Sequence, residues 1–491
     1  MSPGRIFMKG LETMPLTRRD ALKSSLLTGA GLALSSLLPP SAYAAMQPLH
    51  VTSKGNPLFP GLGLCDPEVK VYNNQVYLYA THDASIKSTR FIMHNWWVWH
   101  TTDLVHWEQV SILKPEQTYL HKPSSSCWGT DAATRNGKYY FYFSMGPLNI
   151  GVVEGPTPAG PWHDPLGHAL IANGSVDTQA RDPGILQEPD GTSYIVFGTF
   201  HYYIARLNED MISLAEKPRL IHINNAEGPY GKGKTDDKPF IHRRGDIYYL
   251  SWGSYYGMSN SPYGPYDCKG SIIQADRVAP KFRDVSKWQG LDMIPNRSNT
   301  KNWLDHDRHG TFFTLFGQNY FICNDESQPG TTPYFRDSIL SYVRYRKNGE
   351  IDPIRINSIG VGQYDAHAGI YATDFFKVSG AVIEETADRS FAVRVENNGA
   401  QLVYPNIRNL RKNSSLQVKG RLLNAHGMVI EVRRGTPHGH ELGRIKITKE
   451  SGDKSGEWTI PLRHLREKDD LCLAFHGGPG DLAHLHYLSF T

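Results

Sequence analysis

The sequence predicts an all-β fold, a five-bladed β-propeller followed by a jelly-roll-like β-sandwich, from three observations. A unit of head segment, strand, turn and aromatic-rich strand recurs five times. Long stretches of helical periodicity are missing. Beyond about residue 365 the recurrence ends and short alternating strands separated by turn clusters take over.

The first copy is Gly61 to His82, GLGLCDPEVKVYNNQVYLYATH, in which two period-two runs flank the turn pair Asn73-Asn74. Asp66 stands at its head before Pro67, and a residue before proline is pushed towards extended geometry. The second copy starts at Trp128-Gly129-Thr130-Asp131, the third at Arg181-Asp182-Pro183, the fourth at Asp237-Lys238-Pro239 and the fifth at His309-Gly310-Thr311. Each leads through a Gly or Asn turn into strands such as Tyr139 to Phe143, Tyr194 to Gly198, Tyr248 to Trp252 and Tyr320 to Cys323. Further strands are expected at Trp96 to His100, Ile150 to Val153, Tyr202 to Leu207 and Ile339 to Tyr345. Five such units fit five blades of short strands.

The chain of 491 residues is long enough for two cores. Its first 44 residues read as a leader: Arg18-Arg19, an apolar stretch from Ser24 to Leu38, then Ala42-Tyr43-Ala44. The apolar stretch is shorter than the roughly 18 residues of a membrane span. The paired arginines mark it as a twin-arginine signal, implying export of a folded protein to the periplasm or medium. Removing it takes five Lys/Arg and two Asp/Glu, so the net charge of +4 becomes +1. A nearly neutral protein favours neither nucleic acid nor a membrane surface. A monomer is expected. The five cysteines are scattered without a C-x-x-C pair, so no zinc site or disulfide framework is indicated.

In a propeller the heads of the innermost strands converge on one end of the axis, however far apart they lie in sequence. Asp66, Asp131, Asp182 and Asp237 sit at or near such heads. Buried carboxylates are costly unless paired, so several in register suggest a site. Glycoside hydrolysis needs two carboxyl groups, one as acid and one as base or nucleophile. A third nearby can raise the acid's pKa. Glu227, in the Gly/Pro-bounded loop Asn225-Ala226-Glu227-Gly228-Pro229-Tyr230, completes the set.

Cys65-Asp66-Pro67, Arg181-Asp182-Pro183 and Glu227-Gly228-Pro229, in that order and at those places in the repeat, resemble the three catalytic signatures of the family 43 glycoside hydrolases. The resemblance runs from about Phe59 to Tyr364 and implies a propeller with an inverting mechanism. It gives Asp66 the role of general base, Glu227 that of general acid, and Asp182 that of tuning and orienting the acid. It also implies a channel histidine at His309, beside a candidate structural calcium, and a sugar-contacting arginine at Arg308. No cofactor is required. Trp97 and Trp128 are candidates to line the sugar pocket. Within the family, removal of terminal α-L-arabinofuranosyl or β-xylosyl units from a neutral oligosaccharide or polysaccharide is common, with β-galactofuranosidase as an alternative. Two more distant readings are a retaining fructan-cleaving enzyme and a non-catalytic glycan-binding propeller.

The expected domains are residues 1–44 (leader), 45–365 (propeller) and 366–491 (sandwich). Strands over Phe391 to Val395, Leu416 to Val418, Val429 to Val432 and Ile445 to Ile447 build the last. Its ending, from Leu471 to Phe490, resembles family 6 carbohydrate-binding modules. His484 or His486 stands where those modules commonly carry asparagine, and paired aromatic platforms are missing.

Overall fold

Val, Ile, Tyr and Trp at alternate positions make strands that bury both faces between neighbouring sheets, and five such sheets, antiparallel but for the short parallel pairing of Ile223–Asn224 with Tyr266–Ser271, are arranged around one axis. The computed structural model describes residues 47–146, 149–273, 308–326, 331–332, 334–448 and 456–491. The expected leader lies outside the described residues. Among those described, no helix is long and apolar enough to cross a membrane.

The innermost strands are Leu64–Tyr72, Cys127–Arg135, Gly184–Gln187, Pro239–Arg244 and Gly310–Leu315. Each packs against the next and the last against the first, so the ring is closed. In the first blade the order outward from the axis continues through Gln75–Asp83, Met93–Thr101, His106–Leu113 and His50–Thr52. The seam between first and fifth blades is sealed by the segment Asn56–Phe59. Leu58 N donates to Ser338 O at 2.8 Å. The Asn56 amide donates to Leu340 O at 3.0 Å and accepts from Leu340 N at 2.9 Å. Phe59 is fully buried against Trp99 and Trp107, with ring centroids 5.0 and 5.3 Å away. Burying such a ring in the first blade contributes about 1.5–3 kcal/mol, and Phe59 N donates to Asp337 Oδ1 of the fifth blade at 3.2 Å.

The sandwich begins with Tyr364–Asp365, which pairs with Gln401–Arg408. One sheet adds Asp469–Gly477, Met428–Arg434 and Glu441–Ile447. The other contains Phe391–Val395, Ala483–Phe490 and Ser415–Leu422. Val393, Leu402, Leu416, Ile430, Trp458, Phe475 and Leu485 fill the space between them. The sandwich is fixed to the fifth blade by polar contacts. Buried Gln318 donates to Thr373 O at 2.8 Å and Phe375 O at 3.0 Å. Arg346 pairs with Glu385 at 2.7 Å and Arg344 with Asp374.

Candidate active site

Three blade heads share one backbone state. Asp66, Asp182 and Lys238 each precede a proline, and each has positive φ, at 48°, 56° and 44°. The extended geometry expected of Asp66 is therefore corrected. Proline disfavours the right-handed helical region for its predecessor, and the left-handed region is the other exit, one that Asp tolerates better than most residues. The pairing of Leu64–Tyr72 with Gln75–Asp83 slips between Cys65 and Glu68, a bulge that turns Asp66 out of the ladder. Such a conformation costs on the order of 1–3 kcal/mol and persists only when its surroundings hold it. They do so in both aspartates: Asp66 N donates to Asn324 Oδ1 at 2.6 Å and Asp182 N to Ser144 Oγ at 2.9 Å.

Asp66 is 5% exposed, and its carboxylate is saturated with donors. Oδ1 accepts from Asn324 Nδ2 at 2.9 Å, Arg336 Nη1 at 3.0 Å and His309 Nδ1 at 3.1 Å. Oδ2 accepts from Thr81 Oγ1 at 3.1 Å. Burial alone would raise its pKa, but the Arg336 guanidinium and His309 outweigh it and hold the group well below the usual carboxylate range. The charged form of Asp66 is thus the favoured one. Arg336 is itself gripped by buried Asp83, with Nε to Oδ2 at 3.0 Å and Nη2 to Oδ1 at 3.1 Å. Its fork also reaches Cys65 Sγ at 3.2 Å, where burial pushes the thiol well up and leaves it inert.

Asp182 is as buried as Asp66 but is pushed the other way. Burial raises its pKa, Arg181 offsets part of this, and Asp237 adds to it. Ser144 Oγ lies 3.3 Å from Asp182 Oδ1, and Arg181 Nε 3.5 Å from Oδ2. The side chain fits only because residue 129 is glycine: a Cβ there would lie 2.5 Å from Asp182 Oδ1. Arg181 gives its stronger contact, 2.7 Å, to Asp237 Oδ2. His309 joins the two halves, with Nε2 2.5 Å from Asp237 Oδ1 and Nδ1 on Asp66. Burial would raise the Asp237 pKa too, yet His309 and Arg181 hold it well below the usual range.

These groups line a cavity of about 220 Å³ at one end of the channel, together with Trp128, Phe91, Met93, Tyr230 and Asp236. Asp66, Asp182, His309 and Trp128 are brought together as the sequence suggested. Arg181 lies 5.5 Å from the Trp128 ring, and Trp96 Nε1 holds the Trp128 carbonyl at 2.7 Å. Glu227 is half-buried and is not among the lining residues. Its short strand Glu227–Gly228 pairs with Gly231–Lys232, and the turn between them carries Tyr230 into the cavity. The Glu227 carbonyl is anchored by Trp252 Nε1 at 2.8 Å.

Two expectations are corrected. Trp97 is 7% exposed and stacks on His82 at 3.8 Å within the core of the first blade, so it does not line the sugar pocket. Arg308 is 2% exposed, donates to Asn324 O at 3.3 Å and lies 3.7 Å from Asp325. Neighbouring residues in extended chain point to opposite sides, so His309 faces the cavity and Arg308 does not. Asp131 is structural: it pairs with Lys70 at 2.7 Å and accepts from Ile185 N at 2.5 Å. The residues that sequence reasoning missed are Arg336, Asn324, Ser144 and Tyr230. Of these only Tyr230 had a signal, its place beside Glu227-Gly228-Pro229.

Asp236, Asp237 and His309 bring ligand atoms within 4.8 Å of one another, the one such group among the described residues. The set does not fit the calcium expected at His309. Calcium takes six to eight oxygens, whereas this set offers two carboxylates and an imidazole whose nitrogens lie 3.1 and 2.5 Å from oxygens of Asp66 and Asp237. Arg181 already occupies Asp237.

The model of "Glycosyl hydrolases family 43" matches residues 55–351. A β-D-galactofuranosidase from Aspergillus niger is 29% identical over 327 residues, covering 63% of this chain and 87% of its own length. An arabinoxylan arabinofuranohydrolase from Paenibacillus polymyxa is 23% identical over 519 residues, covering 91% and 76%. A crystal structure of a family 43 arabinoxylan arabinofuranohydrolase from Bacillus subtilis, in complex with cellotetraose, matches with a TM-score of 0.51 at 18% identity. It covers 90% of this chain and 99% of that one, a likeness of fold that takes in propeller and sandwich alike.

Proposed function

This chain belongs to the glycosyl hydrolases of family 43, and from that premise we propose an exported, inverting, exo-acting glycosidase that removes terminal α-L-arabinofuranosyl or β-xylosyl units from oligosaccharide or polysaccharide. The observation that carries the reading is the small cavity with Asp66 ionised at its floor. At about 220 Å³ it falls below the roughly 300–1,000 Å³ that holds a drug-sized ligand, so it suits a single terminal sugar. Asp66, kept charged by Arg336 and His309, accepts a proton from the attacking water. Glu227, which does not line the cavity but shares the short hairpin of Tyr230, is assigned the role of the acid that donates to the leaving oxygen. Asp182, pressed by burial and by Asp237, orients the acid and discourages its early ionisation. His309 is a bridge between carboxylates rather than a calcium ligand, and the chemistry needs no cofactor. The leader over residues 1–44 would direct twin-arginine export.

The names of the relatives support arabinofuranosyl and xylosyl substrates, and the β-D-galactofuranosidase of Aspergillus niger favours a second reading, release of galactofuranose. The C-terminal sandwich is proposed as a rigid flank of the fifth blade. His484, at the position where carbohydrate-binding modules of family 6 commonly carry asparagine, is tied to Glu384 at 2.7 Å.

The test is hydrolysis of 4-nitrophenyl α-L-arabinofuranoside, β-D-xylopyranoside and β-D-galactofuranoside, and of the matching oligosaccharides, by wild type and Glu227→Ala. The variant is expected to lose about 10²–10⁴-fold on oligosaccharide and markedly less on the nitrophenyl glycoside, whose leaving group needs no proton. Equal losses on both would remove Glu227 from the acid role. Turnover of none of the three wild-type pairs would end the reading.

A further inference from the structure

The cavity suits one sugar, so the rest of any glycan must lie outside it, and among the described residues the rim has a built feature that packing does not explain. Phe200 is 49% exposed and has φ of +59°, a conformation unfavourable for an aromatic residue. It is held there from both sides: its N–H donates to Asp236 O at 2.9 Å, and its carbonyl accepts from Thr235 Oγ1 at 2.7 Å. Its ring meets that of Tyr230 edge to face, 5.7 Å between centroids at 74°. Tyr230 and Asp236 both line the catalytic cavity. The same stretch that places the site's acidic residues therefore also holds an apolar ring out in solvent.

On its far side Phe200 lines a second, open groove of about 370 Å³ with Asn173, Asp177, Thr178, Gln179 and His201. The groove lies beside the catalytic cavity, the two separated by one shared wall. Arg181, which lines the cavity, donates from Nε to Thr199 Oγ1 at 2.8 Å, and Thr199 lines the groove. An isolated exposed apolar side chain needs no explanation. One fixed against its backbone preference, between a one-sugar cavity and a groove edged by amide, carboxylate and imidazole groups, does.

We propose that Phe200, braced by Tyr230, is the platform on which the first leaving-group sugar stacks, and that the groove beyond takes the next unit through its hydroxyls. This rests on the exo-glycosidase reading and adds to it the residue that sets preference for oligomeric substrate. The platform acts on substrate binding outside the bond that breaks, so its loss moves KM for longer substrates and leaves recognition of the terminal sugar unchanged.

The experiment measures kcat and KM for arabinotriose and xylotriose, and inhibition by free arabinose and xylose, in wild type, Phe200→Ala and Phe200→Trp. In Phe200→Ala, KM for the cleaved trisaccharide is expected to rise by about 2- to 10-fold, the range of one aromatic stacking contact. Inhibition by the released monosaccharide should stay within about twofold, and Phe200→Trp should restore KM. An unchanged KM in Phe200→Ala, an equal weakening of trisaccharide and monosaccharide, or a Trp variant no better than Ala overturns the platform. A wild type that cuts neither trisaccharide overturns the reading beneath it, an outcome that no Phe200 variant can mimic.

Discussion

Along the strand Leu64–Tyr72 the channel passes from Asp66, in the catalytic cavity, through fully buried Glu68 to Lys70 at the opposite mouth. The two stretches treat charge differently. At the catalytic end Asp66, Asp182 and Asp237 share two guanidiniums and an imidazole, and their pKa values are driven apart, Asp66 and Asp237 downward and Asp182 upward. Deeper in, each acid has its own lysine: Glu68 pairs with Lys238 and Asp131 with Lys70. Burial pushes Glu68 up to about 8 against the pull of Lys238, and Glu68 Oε2 has no partner among the described residues. The deep pairs form a buried plug, with Glu68, Asp131 and Lys238 at most 2% exposed. The mouth spends backbone strain and unequal pairing on keeping one carboxylate charged. Pairs of titratable groups with diverging pKa values mark acid–base chemistry; one-to-one pairs mark structure.

Breaking each end should therefore have a different signature. The largest effect on activity belongs to Asp66→Asn, which keeps the shape and removes the base: kcat should fall by about 10²–10⁴-fold in protein that circular dichroism shows to be folded, Arg336 keeping its pairing with Asp83. Lys238→Met should do the reverse. It strands Glu68 in the plug and should lower unfolding free energy by about 3 kcal/mol, the low end for a broken buried pair because Glu68 can take up a proton. Activity per folded molecule should remain within about tenfold, and adding Glu68→Leu should recover most of the stability, as read by urea titration. A Lys238→Met protein as stable as wild type yet as inactive as Asp66→Asn would erase the distinction between mouth and plug.

Much of this was legible in the sequence because the repeat is regular. Period-two runs and turn pairs located the blades, and heads in register placed Asp66, Asp182 and His309 at one end. The strands read at Phe391 to Val395 and Val429 to Val432 stand within the sandwich. What escaped depends on contacts between residues remote in sequence. Arg336 follows the fifth copy in Tyr334-Phe335-Arg336, which has no repeat signature, and its partners Asp66 and Asp83 lie 270 and 253 residues away. Trp97 was misplaced because an indole run does not reveal its facing; the ladder sets Trp97 opposite Ala80, with His82 on its face. The backbone state of Asp66 was hidden for the same reason. The bulge that turns it is a property of the pairing between two strands, not of the dipeptide Asp66-Pro67.

The most direct measurement is proton NMR of the sugar released by wild-type protein during the first turnovers, before mutarotation mixes the anomers. If Asp66 activates water at carbon, the first product has the configuration opposite to that of the glycoside cleaved. A first product of the same configuration would mean that a carboxylate attacks the sugar directly, and would contradict the role of Asp66 as general base.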